Sequence, residues 1–183
     1  MHAIDQGIFL EQLEREGEEQ LKEVIAVFQN LPEDILIRPA RNGGWSIADC
    51  IVHLNSYALF YLPRLERAFA AAPPIDNGPF KHTVIGHYFI TMMDVDRSKR
   101  KYKAMKLHRP QHVNEPYRAI ADFILNLERM LILLATARTK RLRSVRIGTS
   151  ISLWIKINAG DALAFLMVHN KRHLVQAKQN LQP

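Results

Sequence analysis

Two histidines four residues apart, His169 and His173, are the part of this 183-residue sequence with the plainest chemical potential. On a helix, residues i and i+4 project from one face about one turn apart, so both imidazoles can reach a single metal ion. They lie in the stretch from Asp161 to Gln176, where Ala162 to Val168 is almost wholly apolar. The pair therefore follows a core-packing segment and is not on a loose tail. A lone histidine on a helix is most often a partly buried side chain with a hydrogen-bond partner, so the pair needs a third ligand to mean more. His53 is the candidate: it is the only histidine of an earlier predicted helix and lies at the edge of that helix's apolar stripe. If the two helices are neighbours, three neutral imidazoles meet and leave coordination positions open to water or substrate, as in catalytic sites. Such an ion can polarise a substrate oxygen or lower the pKa of a bound water or thiol. The His169-to-His173 spacing also matches the zinc-peptidase motif His-Glu-x-x-His. Asn170 stands where that motif has its glutamate, and an amide cannot be the general base of hydrolysis.

The elements that must position these residues follow from apolar periodicity. Phe9, Leu13, Leu21, Val24, Ile25 and Phe28 predict a first helix over 8–31, weakened slightly by Gly17 and stopped by Pro32. A connector over 32–45 contains the turn-forming Arg41-Asn42-Gly43-Gly44. Ser46 and Asp49 form an approximate capping box for a second helix reaching about residue 71, with Pro63 a bend inside it. After a break at 71–78 comes a long irregular insertion over 80–115, holding His82, His87, His108 and His112, of which 86–104 can be helical in part. Such insertions are often lids or binding loops. Pro116 opens a third helix to about residue 141, with Ile120, Phe123, Ile124, Leu127, Leu131 and Leu134 on its buried face. Val145, Ile147, Ile151, Leu153, Ile155 and Ile157 then alternate as in extended chain, a small hairpin over 145–157 turning at Gly148-Thr149-Ser150. Asp161 is the expected N-cap of the last helix. The reading is all-α: four long amphipathic helices in a bundle with long connections.

Length and composition set the outer bounds. The chain, 1–183, favours one domain with room for a sizeable core. Hydrophobic content of 48% and charged content of 23% are those of a globular protein. No run of 18 apolar residues predicts a membrane span, and no signal peptide is evident. One cysteine, Cys50, forms no internal disulfide, and the simplest setting is cytoplasmic. The net charge is +7, with basic runs at 97–103 and 138–146. These suit solvated helix ends. Nucleic-acid binding is disfavoured, because no recognition motif or stacking aromatic pattern accompanies the charge.

Two motifs together carry a family resemblance. Gly44-Trp45-Ser46-Ile47-Ala48-Asp49 followed by His53-Leu54, and later Gly160-Asp161-Ala162-Leu163, Phe165-Leu166, His169, Arg172-His173 and Gln176, resemble the DinB-like superfamily over most of the chain. The resemblance implies a four-helix bundle with a long crossover connection, often a homodimer. It implies a divalent metal (nickel, zinc, manganese or iron) held by His53, His169 and His173. Characterised relatives of that superfamily include thiol-dependent transferases and a maleylpyruvate isomerase using low-molecular-weight thiols, and others are described as metal-dependent hydrolases. The substrate expected is a small molecule. Asn170 departs from the pattern, since relatives often carry an acid there, and the segment 80–115 matches no motif. The other class of function is a non-catalytic bundle, a stress-related protein that binds a metal, a ligand or a partner. Several neighbours of the histidines have two readings. Asp49 orients His53 or only caps its helix. Cys50 is a soft ligand or a small buried residue. Tyr57 donates into the cavity or packs. Arg172 binds a substrate carboxylate or pairs with an acid across the bundle, Gln176 recurs with it in the family pattern, and Trp45 is a core plug ahead of the helix cap.

Overall fold

The computed structural model describes residues 3–76, 78–98, 100, 102–111 and 113–182. Within them the chain forms α1 (Gln6–Val27), a short α2 (Glu33–Ile37), α3 (Ile47–Ala70), α4 (Val84–Met93), α5 (Pro116–Ala137), β1 (Arg146–Gly148), β2 (Lys156–Asn158) and α6 (Ala159–Gln179). The fold is mostly helical with one small antiparallel hairpin, in which Ile147 pairs with Ile157. The four long helices, α1, α3, α5 and α6, make the bundle, and both α1 and α3 pack against α5 and α6. The helices that carry His53 and the His169/His173 pair are therefore neighbours.

Each long helix buries most of the stripe its sequence advertises, and two apolar clusters fill the bundle. One gathers Phe28, Ile51, Phe123 and Leu174, and the other Phe9, Leu62, Phe80 and Leu163. The first takes the N-terminal part of α3 and the C-terminal part of α6, and the second takes the rest of both helices. His53, His169 and His173 fall where each helix passes from one cluster to the other. Burying these polar rings at the seam spares the methyl-rich packing on either side.

Several boundaries differ from the sequence expectation for tertiary reasons. α5 stops at Ala137, short of 141, because the buried Gln6 amide donates to the carbonyls of Ala137 and Lys140, at 3.3 and 2.7 Å. The amide N–H of Arg141 meanwhile donates to Pro73, so it is unavailable to continue the helix. The N-cap of α6 is Asn158 and not Asp161: the Asn158 side chain accepts from the Asp161 amide at 2.7 Å. Asp161 sits one turn inside, fully buried. Its carboxylate accepts from the Thr83 amide and hydroxyl at 3.0 and 2.6 Å and from His82 Nδ1 at 2.7 Å. It thereby fixes the start of α4 onto α6. The alternation over 145–157 breaks after Gly148: residues 149–155 form the hairpin loop, and Ile151, Leu153 and Trp154 on it are exposed. Ile25, placed on the apolar stripe of α1 by its spacing, is exposed instead. Gly17 is no mere weak point, since an added Cβ would lie 3.0 Å from Leu131 and 3.1 Å from Met167. It lets α5 and α6 approach α1.

Candidate metal centre

The capping box of α3 sets the position of His53. Ser46 Oγ accepts from the Asp49 amide at 3.0 Å, and the Asp49 carboxylate accepts from the Ser46 amide at 2.9 Å and from its hydroxyl at 2.7 Å. Asp49 thus acts as the cap of α3, through its Oδ2, and makes no hydrogen bond to His53 among the described residues. The orienter is a group outside the sequence expectation: His53 Nδ1 lies 2.6 Å from the backbone carbonyl of His108, in the short 3-10 turn Lys106–His108. A carbonyl can only accept, so Nδ1 carries the proton and Nε2 presents its lone pair.

Across the seam the two α6 histidines face it. His53 Nε2 and His169 Nε2 are 3.3 Å apart, and His53, His169 and His173 each offer a ring nitrogen within 4.8 Å of the others'. His173 Nδ1 lies 2.9 Å from the Gln176 amide oxygen, one turn on, which fixes its tautomer in the same sense. His169 Nδ1 is buried with no partner among the described residues. Around them, Trp45 lies 4.8 Å from the His53 ring and 5.7 Å from that of His173, centroid to centroid, and Tyr57 lies 4.3 Å from His169. Trp45 is thus half-buried, packed against the first apolar cluster on one side and facing the histidines on the other.

The surroundings hold all these imidazoles neutral. Burial pushes His53 down, and takes His169 well below the ordinary range, with the neighbouring His173, His53, His108 and Arg172 adding to it. Burial, with His53 and Arg172 nearby, brings His173 down to about 3. Burial beside His53 brings His108 down to about 4. Burial also pushes the Tyr57 phenol up to about 12, so it keeps its proton. Neutral imidazoles, two of them with the outer nitrogen protonated and the inner lone pair turned to the centre, are what a divalent transition metal needs. Two ligand nitrogens at about 2.0–2.1 Å in a tetrahedral shell lie roughly 3.3 Å apart. The His53–His169 separation matches that.

The other candidates sort themselves by contact. Cys50 is fully buried in the apolar cluster of Ile47, Ile51 and Ile120, and burial raises its thiol to about 12; it is a core residue. Arg172 neither meets an acid across the bundle nor stands free. Its guanidinium donates to the carbonyls of Met93, Ser98 and Arg100, at 3.2, 2.9 and 2.5 Å, and so staples the insertion to α6. Ser56, unremarked in the sequence, donates to the His53 carbonyl at 2.6 Å. Its oxygen must then accept from His108 Nδ1 at 3.0 Å, which anchors the turn whose carbonyl holds His53. Of the insertion's histidines, His82 belongs to the Asp161 cluster, and His112 lies outside the described residues. The basic run at 138–146 is largely paired: Arg138 with Glu14, and Arg141 and Arg143 with Asp76. In the run at 97–103, Lys99 and Lys101 lie outside the described residues.

The histidines open on a cavity of about 1270 Å³, bounded by the 38–45 connector, the insertion, the hairpin loop and the end of α6. His53, Tyr57, His169, His173 and Gln176 all line it. A helical bundle with a cluster of three histidines on the wall of a large pocket is compatible with a metal site built from facing helices. Residues 16–177 match the family model of the DinB superfamily, and the chain belongs to that superfamily. No curated protein and no solved structure matches the chain significantly. No helix among the described residues is long and apolar enough to cross a membrane.

Proposed function

We propose that this chain is a metal-dependent enzyme acting on small molecules, with His53, His169 and His173 as the ligands of one divalent transition metal. The observation that carries the reading is the convergence of three neutral ring nitrogens within 4.8 Å of one another on the wall of a large pocket. A metal that only braced the fold would be closed off by a fourth protein ligand, whereas this set is open to the cavity. A divalent ion there would polarise a substrate oxygen or acidify a bound thiol. The protein's own part is to hold the ligands: the His108 carbonyl and the Gln176 amide fix the His53 and His173 tautomers, and the apolar seam keeps protons off the rings.

Between the two reaction types the family suggests, the lining favours transfer from a low-molecular-weight thiol over hydrolysis. No Asp or Glu lines the pocket among the described residues, so no carboxylate base is at hand to activate water. A thiol needs no such base once its pKa is lowered. The same absence supports a second reading, a non-catalytic bundle that binds a ligand. The homodimer, an expectation from the family, and the cytoplasmic setting, an expectation from the single cysteine, accompany the proposal.

The test is a screen of thiols paired with small electrophiles, on metal-loaded and metal-stripped protein. Turnover that needs the metal and is lost in His169→Ala, with the fold kept, supports the enzyme. Turnover indifferent to metal contradicts it, as does loss of fold on stripping, since binding energy would then be folding energy.

A further inference from the structure

The cavity has a direction. Trp45, beside His53 and His173, marks one end. Arg38 and Arg41 come from the connector just before it, where a hydrogen bond from the Ala40 amide to the Gly44 carbonyl folds the turn back. Lys103 arrives from the insertion and shares with Trp45 a smaller adjoining cavity of about 430 Å³. All three cations are exposed, and none has an acidic partner among the described ion pairs. Arg172, the fourth cation of the lining, is committed to backbone carbonyls.

Beyond the histidines the character reverses. The Tyr57 ring, which touches His169, lies 5.9 Å from Phe165, and Phe165 lies 6.4 Å from Phe89. Met92 and Ile151 continue that apolar wall toward the hairpin loop. A ligand lying along the cavity thus meets uncompensated positive charge at one end, the three histidines in the middle and aromatic surface at the other. A neutral polar ligand would leave the apolar wall unused, and a cation would meet like charge and no carboxylate among the described residues.

We infer that the cavity takes an amphipathic anion, its charged oxygens at Arg38, Arg41 and Lys103 and its apolar body along Tyr57, Phe165 and Phe89. The inference rests on the enzyme reading only for calling that anion a substrate; the binding itself stands on the lining. A carboxylate and a phosphate would serve the head equally well, since guanidinium groups recognise both.

Trp45 is the reporter. In a Trp154→Phe background it is the only tryptophan, because the sequence has two. Decanoate, decyl phosphate and decanol, titrated against its fluorescence, hold the tail constant and change the head. At least one anion should bind roughly tenfold tighter than decanol, a preference that salt erodes. Whichever anion binds tighter names the head. Arg38→Gln/Arg41→Gln should remove most of the preference and leave decanol unchanged; these side chains are exposed, so the fold should survive, and Lys103→Gln on its own should lower the preference by a smaller step. Decanol binding as tightly as both anions would overturn the inference, as would the full preference persisting in the double variant. His169→Ala separates the two proposals. A preference that survives there supports the cation site whatever becomes of the metal. A preference lost there but kept in the arginine variants would overturn it, because the anion would then be held by the metal.

Discussion

Acid should unfold the metal-free protein through its buried histidines. In an unfolded chain each imidazole titrates near pH 6.5. In the folded chain His53, His108, His169 and His173 are all depressed, His108 to about 4 and His173 to about 3. Below pH 6.5 the unfolded state therefore binds protons that the native state refuses, and stability falls as pH falls. The contribution is complete above about pH 6.5, and its loss continues down to about 4 for His108 and about 3 for His173. At pH 5 the drop is about 1.5 pH units at about 1.4 kcal/mol each, or roughly 2 kcal/mol per depressed histidine. His108 and His173 together then remove about 4 kcal/mol, a large share of a typical total of about 5–15 kcal/mol, with His53 and His169 adding in the same sense. Glu16, whose carboxyl is pushed up by burial, works in the opposite direction. A comparison with His173→Gln therefore isolates the imidazole. Urea midpoints of chelator-treated protein between about pH 7 and pH 5 should fall steeply, and less steeply in His173→Gln. A flat profile would refute the reasoning, as would an equally steep one in the variant.

Two further outcomes follow from the packing. A Cβ on Gly86 would lie 2.2 Å from the Asp161 carboxylate, which is fully buried and holds three hydrogen bonds. Gly86→Ala should therefore loosen α4 from α6 and cost on the order of 2–4 kcal/mol in urea melts, and an unchanged midpoint would contradict this. Cys50, buried with its thiol raised to about 12, should resist thiol reagents at neutral pH until denaturant is added, so rapid stoichiometric labelling of folded protein would show that its environment is misjudged.

How much of this was legible in the sequence depended on the range of the interaction. The four long helices announce themselves through local periodicity, and the box of Ser46 and Asp49 is complete within four residues. The meeting of His53 with His169 and His173 needed only those helices to be adjacent, which the family pattern implied and the fold supplies. What escaped depends on contacts between distant segments. The early end of α5 is set by Gln6, more than a hundred residues upstream. The group that orients His53 is a backbone carbonyl, invisible to any motif because every residue has one. Arg172 recurs in the family pattern, yet its partners are carbonyls of an insertion that matches no pattern. Asp161 looked like a cap because it opens an apolar run, but Asn158 takes that position and leaves Asp161 to bind α4.

The central claim is that three histidines hold one ion, and its most direct test is elemental analysis of protein purified without a histidine tag. The native chain should carry close to one transition-metal ion per chain, and His53→Ala or His169→Ala should carry almost none while retaining helical circular dichroism. Full occupancy in either variant would contradict the three-histidine centre, as would a native protein that takes up no metal from any of the candidate ions.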